Sequence, residues 1–132
     1  MNERGDASVE FLGILVVLVI PVFYIVLAIG QVSAGAMAVD AGAREAARIL
    51  AQDSERRADA ERAVALIVED FGVDAPASVS SSCEACASSE GAIEVSVSVH
   101  VPLPFMPAWL GAVGVTVSSS ASAPVREVVA GG

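Results

Sequence analysis

The pattern of apolar and polar positions changes three times along the chain, and each change marks an element. Residues 11–30, FLGILVVLVIPVFYIVLAIG, form an unbroken apolar run without a single charge. Roughly 20 such residues are what a helix needs to cross the hydrocarbon core of a bilayer, so one membrane span is predicted. A cleavable secretory signal competes with it, because Arg4 gives a short positive start and Ala34-Gly35-Ala36 resembles a small-residue cleavage site. The apolar run is longer than the roughly 7 to 15 residues usual in such signals, which favours a retained span.

Beyond Gly30 the chain is rich in Ala and has no Pro until Pro76, so the span is expected to continue as one helix to about Gln52. A helix over residues 6–52 would be on the order of 70 Å long, far more than an anchor requires. Small residues recur at every fourth position along it, namely Gly30, Ala34, Ala38, Gly42 and Ala46. Such a stripe lets another helix approach closely. Ala is also simply a good helix former, but each Gly in a helix interior costs about 1 kcal/mol against Ala, which favours a packing role.

A second, amphipathic helix is predicted over residues 54–71, with Ala60, Ala63, Val64, Ile67 and Phe71 on one face and charges at its start and flanks. Asp53 or Ser54 can cap it, and Gly72 can end it. From Pro76 the period becomes two. In AIEVSVSVHV, Ile93, Val95, Val97, Val99 and Val101 point one way, and Glu94, Ser96, Ser98 and His100 the other. VGVTVSSSASA repeats the pattern with Val113, Val115, Val117, Ala121 and Ala123, and PASVSSS is a weaker third strand. The fold class predicted is α+β: a long transmembrane helix continuing into a stem, an amphipathic helix, and a small antiparallel sheet of about three strands that this second helix covers. Between the two strong strands lies PLPFMPAWLGA, with Phe105, Met106, Trp109 and Leu110. It either folds back to complete a thin core or presents an apolar patch to a partner or a membrane surface, and the first reading has the greater weight.

Composition narrows the function classes. A net charge of −9, with Arg as the only strong base, leaves no basic face for a phosphate backbone, so nucleic acid is excluded as a partner. Cys83 and Cys86 form CEAC in a Ser-rich stretch; in an exported domain they are expected to form a local disulfide. Zinc is poorly served, since His100 is the only other soft ligand and a structural site needs four. No P-loop, nucleophile elbow, dinucleotide fingerprint or paired-His motif occurs, and one surface histidine gives the many serines no general base. A non-enzymatic protein without metal or cofactor is expected.

One stretch, RGDASVEF, places Glu10 directly before the apolar run. Gly5, four intervening residues, Glu10, the aromatic Phe11 and then an apolar helix is the order found at the start of type IV pilin-like precursors. The chain resembles the TadE-like pseudopilins of tight-adherence (Tad, or Flp-type) pilus systems. RGDASVEF with LGILVVLVIPVFYIV is similar to their membrane start, and AVDAGAREAARILA to their Ala-rich AREGAR-type stem. VSVSVHVPLPFMPAWLGAVGVTVSSSASAPV is similar to their final strand pair around a Pro-aromatic turn. The likeness is strong over residues 4–52 and looser beyond Gly91. It departs in the leader MNERG, which carries an acid beside its one Arg.

The resemblance implies cleavage by a prepilin peptidase between Gly5 and Asp6. Residues 1–5 would be the leader, 6–52 the transmembrane helix and stem, and 53–132 a small extracytoplasmic domain. It also implies that Glu10 meets the freed amine of a neighbouring subunit. The partners implied are other pilins and the Tad inner-membrane assembly proteins. The amino terminus is placed in the cytoplasm and the domain outside, in the cell membrane or within a pilus. The positive-inside rule adds little, because Arg44 and Arg48 follow the span as Arg4 precedes it. The competing class is a single-pass anchored protein that binds a wall component or another protein and never polymerises.

Overall fold

The computed structural model describes residues 3–84 and 91–125. Its elements are helix α1 (Glu3–Gln52), helix α2 (Arg57–Asp70), strand β1 (Ala77–Glu84), strand β2 (Ala92–Pro102), a 3-10 turn at Ala108–Leu110 and strand β3 (Gly114–Pro124). The strands form an antiparallel meander in the order β1-β2-β3. This is an α+β layout, with a second helix and a three-stranded antiparallel sheet attached to one very long helix.

Helix α1 runs unbroken for 50 residues, about 75 Å at 1.5 Å per residue. Pro21 lies inside it and has no N–H to give to the Val17 carbonyl, so one rung of the ladder is missing in the apolar half. A corner joins α1 to α2: the Asp53 carboxylate accepts the Glu55 N–H at 2.9 Å, and the Asp53 carbonyl accepts the Arg56 N–H at 3.2 Å. Asp53 is therefore used in the corner and does not cap α2, which begins at Arg57 without a side-chain cap, three residues later than the pattern suggested. Its far end is a Schellman motif. Gly72 N–H bonds to the Glu69 carbonyl at 2.8 Å and Val73 N–H to Val68 at 3.1 Å, with Gly72 at φ +72°.

The core joins the last third of α1 to one face of the sheet. Ala38, Val39, Ala43, Ala46, Ala47 and Leu50 of α1 are buried with Ile93, Val95, Val97, Val99 and Val101 of β2, the inward row expected from the period-two pattern. Ala60, Val64 and Val68 of α2 close the side of this core. The covering of the sheet differs from expectation. Helix α1 lies across β2 and β3, whereas α2 packs mainly on α1 and touches only β1. The reason is breadth of apolar surface: α1 has a continuous Ala, Val and Leu face there, while α2 buries a narrow line of three residues. Phe71, expected on that line, is 40% exposed, and Val68 takes its place.

Candidate functional site

Two halves of α1 live in different surroundings. Every described side chain from Gly5 to Phe23 is exposed, and residues 11–39 carry no charge. The helix is long and apolar enough to cross a membrane, and its most apolar stretch is not covered by the rest of the fold. Gly5, Asp6, Glu10 and Phe11 lie on this bare part, already in helical geometry. A Cβ on Gly5 would meet nothing within 4 Å. Glu10 stands at the head of a shallow concavity lined by Gly13, Ile14, Val17, Leu18, Pro21 and Val22, so a lone carboxylate opens an otherwise apolar strip.

The small-residue stripe is divided between two environments. Ala38 and Ala46 are fully buried within the subunit, and Gly42 faces Val64 of α2, where a Cβ would come to 3.4 Å from Val64 Cγ1. The helix that approaches this part of the stripe is the chain's own α2. Ala34 is half-buried, and Gly30 is exposed with nothing within 4 Å of a Cβ position. The closest approach falls on a residue outside the stripe. Gly35 is buried against β2 and β3, and a Cβ there would overlap Val101 Cγ2 and lie 3.3 Å from Val117 Cγ2. The signal was present in the sequence as the three-and-four spacing Gly35, Val39, Gly42, Ala46, Leu50, which marks a straight helix face better than a strict four-residue step.

The Pro-aromatic segment does not fold back into the core. Phe105 is 83% exposed, Trp109 81%, Leu110 48% and Met106 38%. The inward row of β2 is already covered by the broad face of α1, so the core is closed without the β2–β3 connection. His100, on the outer face of β2, has Nδ1 3.1 Å from Thr116 Oγ1 and Nε2 3.3 Å from the Ala112 carbonyl, and it holds the base of this connection. The same outer face carries two hydroxyl rows across all three strands, Ser78-Ser98-Ser118 and Ser80-Ser96-Ser120.

Each described arginine beyond the span is paired locally. Arg44 meets Asp40 at 2.7 Å, Arg48 donates through Nε to Glu45 at 2.9 Å, Arg56 and Arg62 both reach Asp59, and Arg57 reaches Glu61 at 3.0 Å. The hydrogen bond from Arg48, reinforced by its charge, holds the Glu45 carboxyl below its ordinary range against a smaller opposing effect of burial. Asp40 also accepts from Ser119 Oγ at 3.2 Å, tying the one inward hydroxyl of β3 to α1. Cys83, exposed at the end of β1, is disulfide-bonded; Cys86, the chain's other cysteine, lies outside the described residues. Among the described residues no group of three His, Cys, Asp or Glu side chains gathers where it could hold a metal ion. No family model, curated protein or solved structure matches the chain.

Proposed function

We propose that this chain is a minor pilin or pseudopilin of a Tad-type pilus, a membrane-stored subunit that a prepilin peptidase cuts between Gly5 and Asp6. The observation that carries the reading is the bare apolar half of α1 headed by Glu10, on a helix whose other half is built into the core of the folded domain. In the bilayer that half faces lipid. In an assembly the same surface exchanges lipid for neighbouring helices, and the domain moves with it because no joint lies between span and core. An unpaired acid costs roughly 2.5 to 3.5 kcal/mol toward the bilayer centre on insertion scales, so a new amine on a neighbouring subunit gives Glu10 a reason to dock. Nothing in this role requires substrate turnover.

A released, secreted domain fits less well. Cutting after Ala36 would remove Gly35, which is packed beneath Val101 and Val117. The second reading, an anchored binding protein that does not polymerise, draws support from the exposed Phe105 and Trp109 and from the hydroxyl rows on the outer face of the sheet.

Amino-terminal sequencing of the membrane-bound chain in cells with an active prepilin peptidase separates the readings. The pilin reading expects a mature chain starting at Asp6, and Gly5→Ala expects an uncut chain and no pili. Glu10→Ala is expected to abolish incorporation while leaving the cut in place. An intact amino terminus, with Glu10→Ala harmless, would transfer the case to the anchored binding protein.

A further inference from the structure

We propose that the β2–β3 loop, residues 103–113, is a second membrane contact: Phe105, Met106, Trp109 and Leu110 seat in the interfacial layer of the bilayer that α1 crosses. The proposal rests on the reading of α1 as a membrane span and says nothing about whether the chain polymerises.

Position is the first argument. β2 runs back along α1. The strand end near Pro124, which pairs with Ala92, shares a concavity with Ala51 and Gln52, whereas Val101 lies over Gly35 and Pro102 shares a cavity with Gly30 and Ala34. The loop thus leaves the sheet at the height where the apolar run ends. Tyr24, Ala28, Val32 and Gly35 share one face of α1 by helical periodicity, and Tyr24 and Ala28 are half-buried while their neighbours are exposed. That face is covered down to Tyr24, so the fold reaches along the span itself.

Chemistry is the second. From Val101 to Val125 the chain has no charged residue, and its two most exposed large side chains are a Phe and the chain's sole Trp. Trp collects at membrane–water interfaces, and Phe and Leu are among the residues that interfacial segments insert beside it. Going into that layer also requires few unsatisfied backbone groups. Pro102, Pro104 and Pro107 have no N–H, and the loop bonds four of its other N–H groups internally, Leu103 to Val113 at 3.1 Å, Leu110 to Pro107 at 3.0 Å, Gly111 to Ala108 at 3.2 Å and Val113 to Gly111 at 2.9 Å, which suits a layer where water still reaches the rest.

Backbone conformation is the third. Phe105 has φ +59°, a left-handed geometry that a bulky residue rarely adopts and that Gly or Asn would adopt at lower energy. A large apolar side chain is kept at a position where a mere turn would favour another residue.

Electrostatics then specifies the lipid. The first basic residue after the span is Arg44, about 21 Å beyond Gly30 along the helix, and the ionisable side chains placed beside the loop are Asp74, in the cavity with Pro102, and His100, on the Ala112 carbonyl. Attraction to anionic headgroups is therefore not the driving force, and a zwitterionic bilayer suffices.

Because the chain has one Trp, the unmodified protein reports on itself. The full chain is placed in phosphatidylcholine nanodiscs at one chain per disc, with bromine carried shallow or deep on the acyl chains, and Trp109 fluorescence is read. The expected result is blue-shifted emission, stronger quenching by shallow than by deep bromine, little quenching by aqueous iodide, and no change when anionic lipid is added. Phe105→Ser with Leu110→Ser should remove most of the bromine quenching. Emission of a hydrated Trp, open to iodide, in discs where protease protection shows α1 inserted would overturn the loop contact and leave the span intact. Shielding from iodide that arises only with two or more chains per disc would assign the patch to a second copy and overturn the proposal. Extraction of the chain from native membranes by alkaline carbonate would remove the span and the loop contact together.

Discussion

Three glycines of α1 make the same substitution, Gly→Ala, test three different spaces. Each gains about 1 kcal/mol of helix propensity, so that contribution cancels in any comparison among them. At Gly30 the new methyl meets nothing, and at Gly42 it comes to 3.4 Å from Val64 Cγ1, an ordinary contact. At Gly35 it overlaps Val101 Cγ2, on a side chain only 2% exposed and held at the second wall of the same joint by Val117. A β-branched side chain has little rotamer freedom with which to retreat. Overpacking of this kind costs about 1–3 kcal/mol, so Gly35→Ala should be that much less stable than Gly42→Ala.

Urea unfolding of the full chain in detergent, followed by far-UV circular dichroism, reads the difference. With a slope of about 1–3 kcal/mol per molar urea, the two midpoints should lie on the order of 1 M apart. Val101→Ala alone should cost about 2 kcal/mol through lost burial and cavity. Combined with Gly35→Ala it should cost less than the sum, by about 0.5–3 kcal/mol, because the new methyl fills part of the space. A Gly35→Ala chain as stable as Gly42→Ala, or strict additivity with Val101→Ala, would refute the docking of α1 on β2 at this point.

Gly72→Ala should destabilise the chain by about 1–2 kcal/mol, since a Cβ is strained at φ +72° in the Schellman cap of α2; the same urea titration measures it. Val97→Ala, at a fully buried site in the centre of the inward row, should cost about 2 kcal/mol or more, whereas Ser98→Ala on the outer face should fall within about 0.5 kcal/mol of the parent. Glu45 has its folded-state carboxyl held below the ordinary range, so its small contribution is present above the unfolded value and is lost as pH falls through the folded one; Glu45→Gln should flatten only that acid limb of the stability profile. Asp40→Asn should loosen the contact between α1 and β3 by removing the Arg44 pair while keeping an acceptor for Ser119, seen as faster amide exchange in residues 117–121 with little change in global midpoint.

The sheet and the end of the long helix were legible because each rests on a single strong pattern. Alternating Val and Ser in AIEVSVSVHV permits only one face to be buried, and β2 buries that face. Gln52 is the last residue of α1 because the next polar cluster contains Asp53, whose carboxylate turns the chain. The covering of the sheet was less legible, since it depends on which of two apolar helices offers the wider surface, a comparison that periodicity alone does not make. The exposure of the aromatic loop escapes the sequence pattern for the same reason: α1, and not the loop, covers the inward row of β2, and Phe105 and Trp109 stay outside.

The small-residue stripe shows how one periodic pattern is divided between two surroundings. A four-residue step advances about 400° around a helix, so each member lies about 40° from the last, and Gly30 and Ala46 end up about 160° apart. One straight helix cannot meet them all. Ala38, Gly42 and Ala46 turn toward α2 and the sheet, while Gly30 is exposed at the rim of the cavity it shares with Ala34 and Pro102, where a Cβ meets nothing within 4 Å. On the pilin reading, the surface left for a neighbouring subunit is the span with Gly30 at its edge, while the buried part of the stripe joins span and domain. Bulky substitutions separate these roles. Gly30→Leu should not lower the urea midpoint, since Leu is the better helix former and meets no neighbour at its Cβ, and on the pilin reading it should impair only assembly, whereas Gly42→Leu should unfold the domain before assembly is tested. If Gly30→Leu chains assembled normally, the packing of neighbours would have to run along a different face of the span, and the strip beneath Glu10 that includes Gly13 would be the next to test.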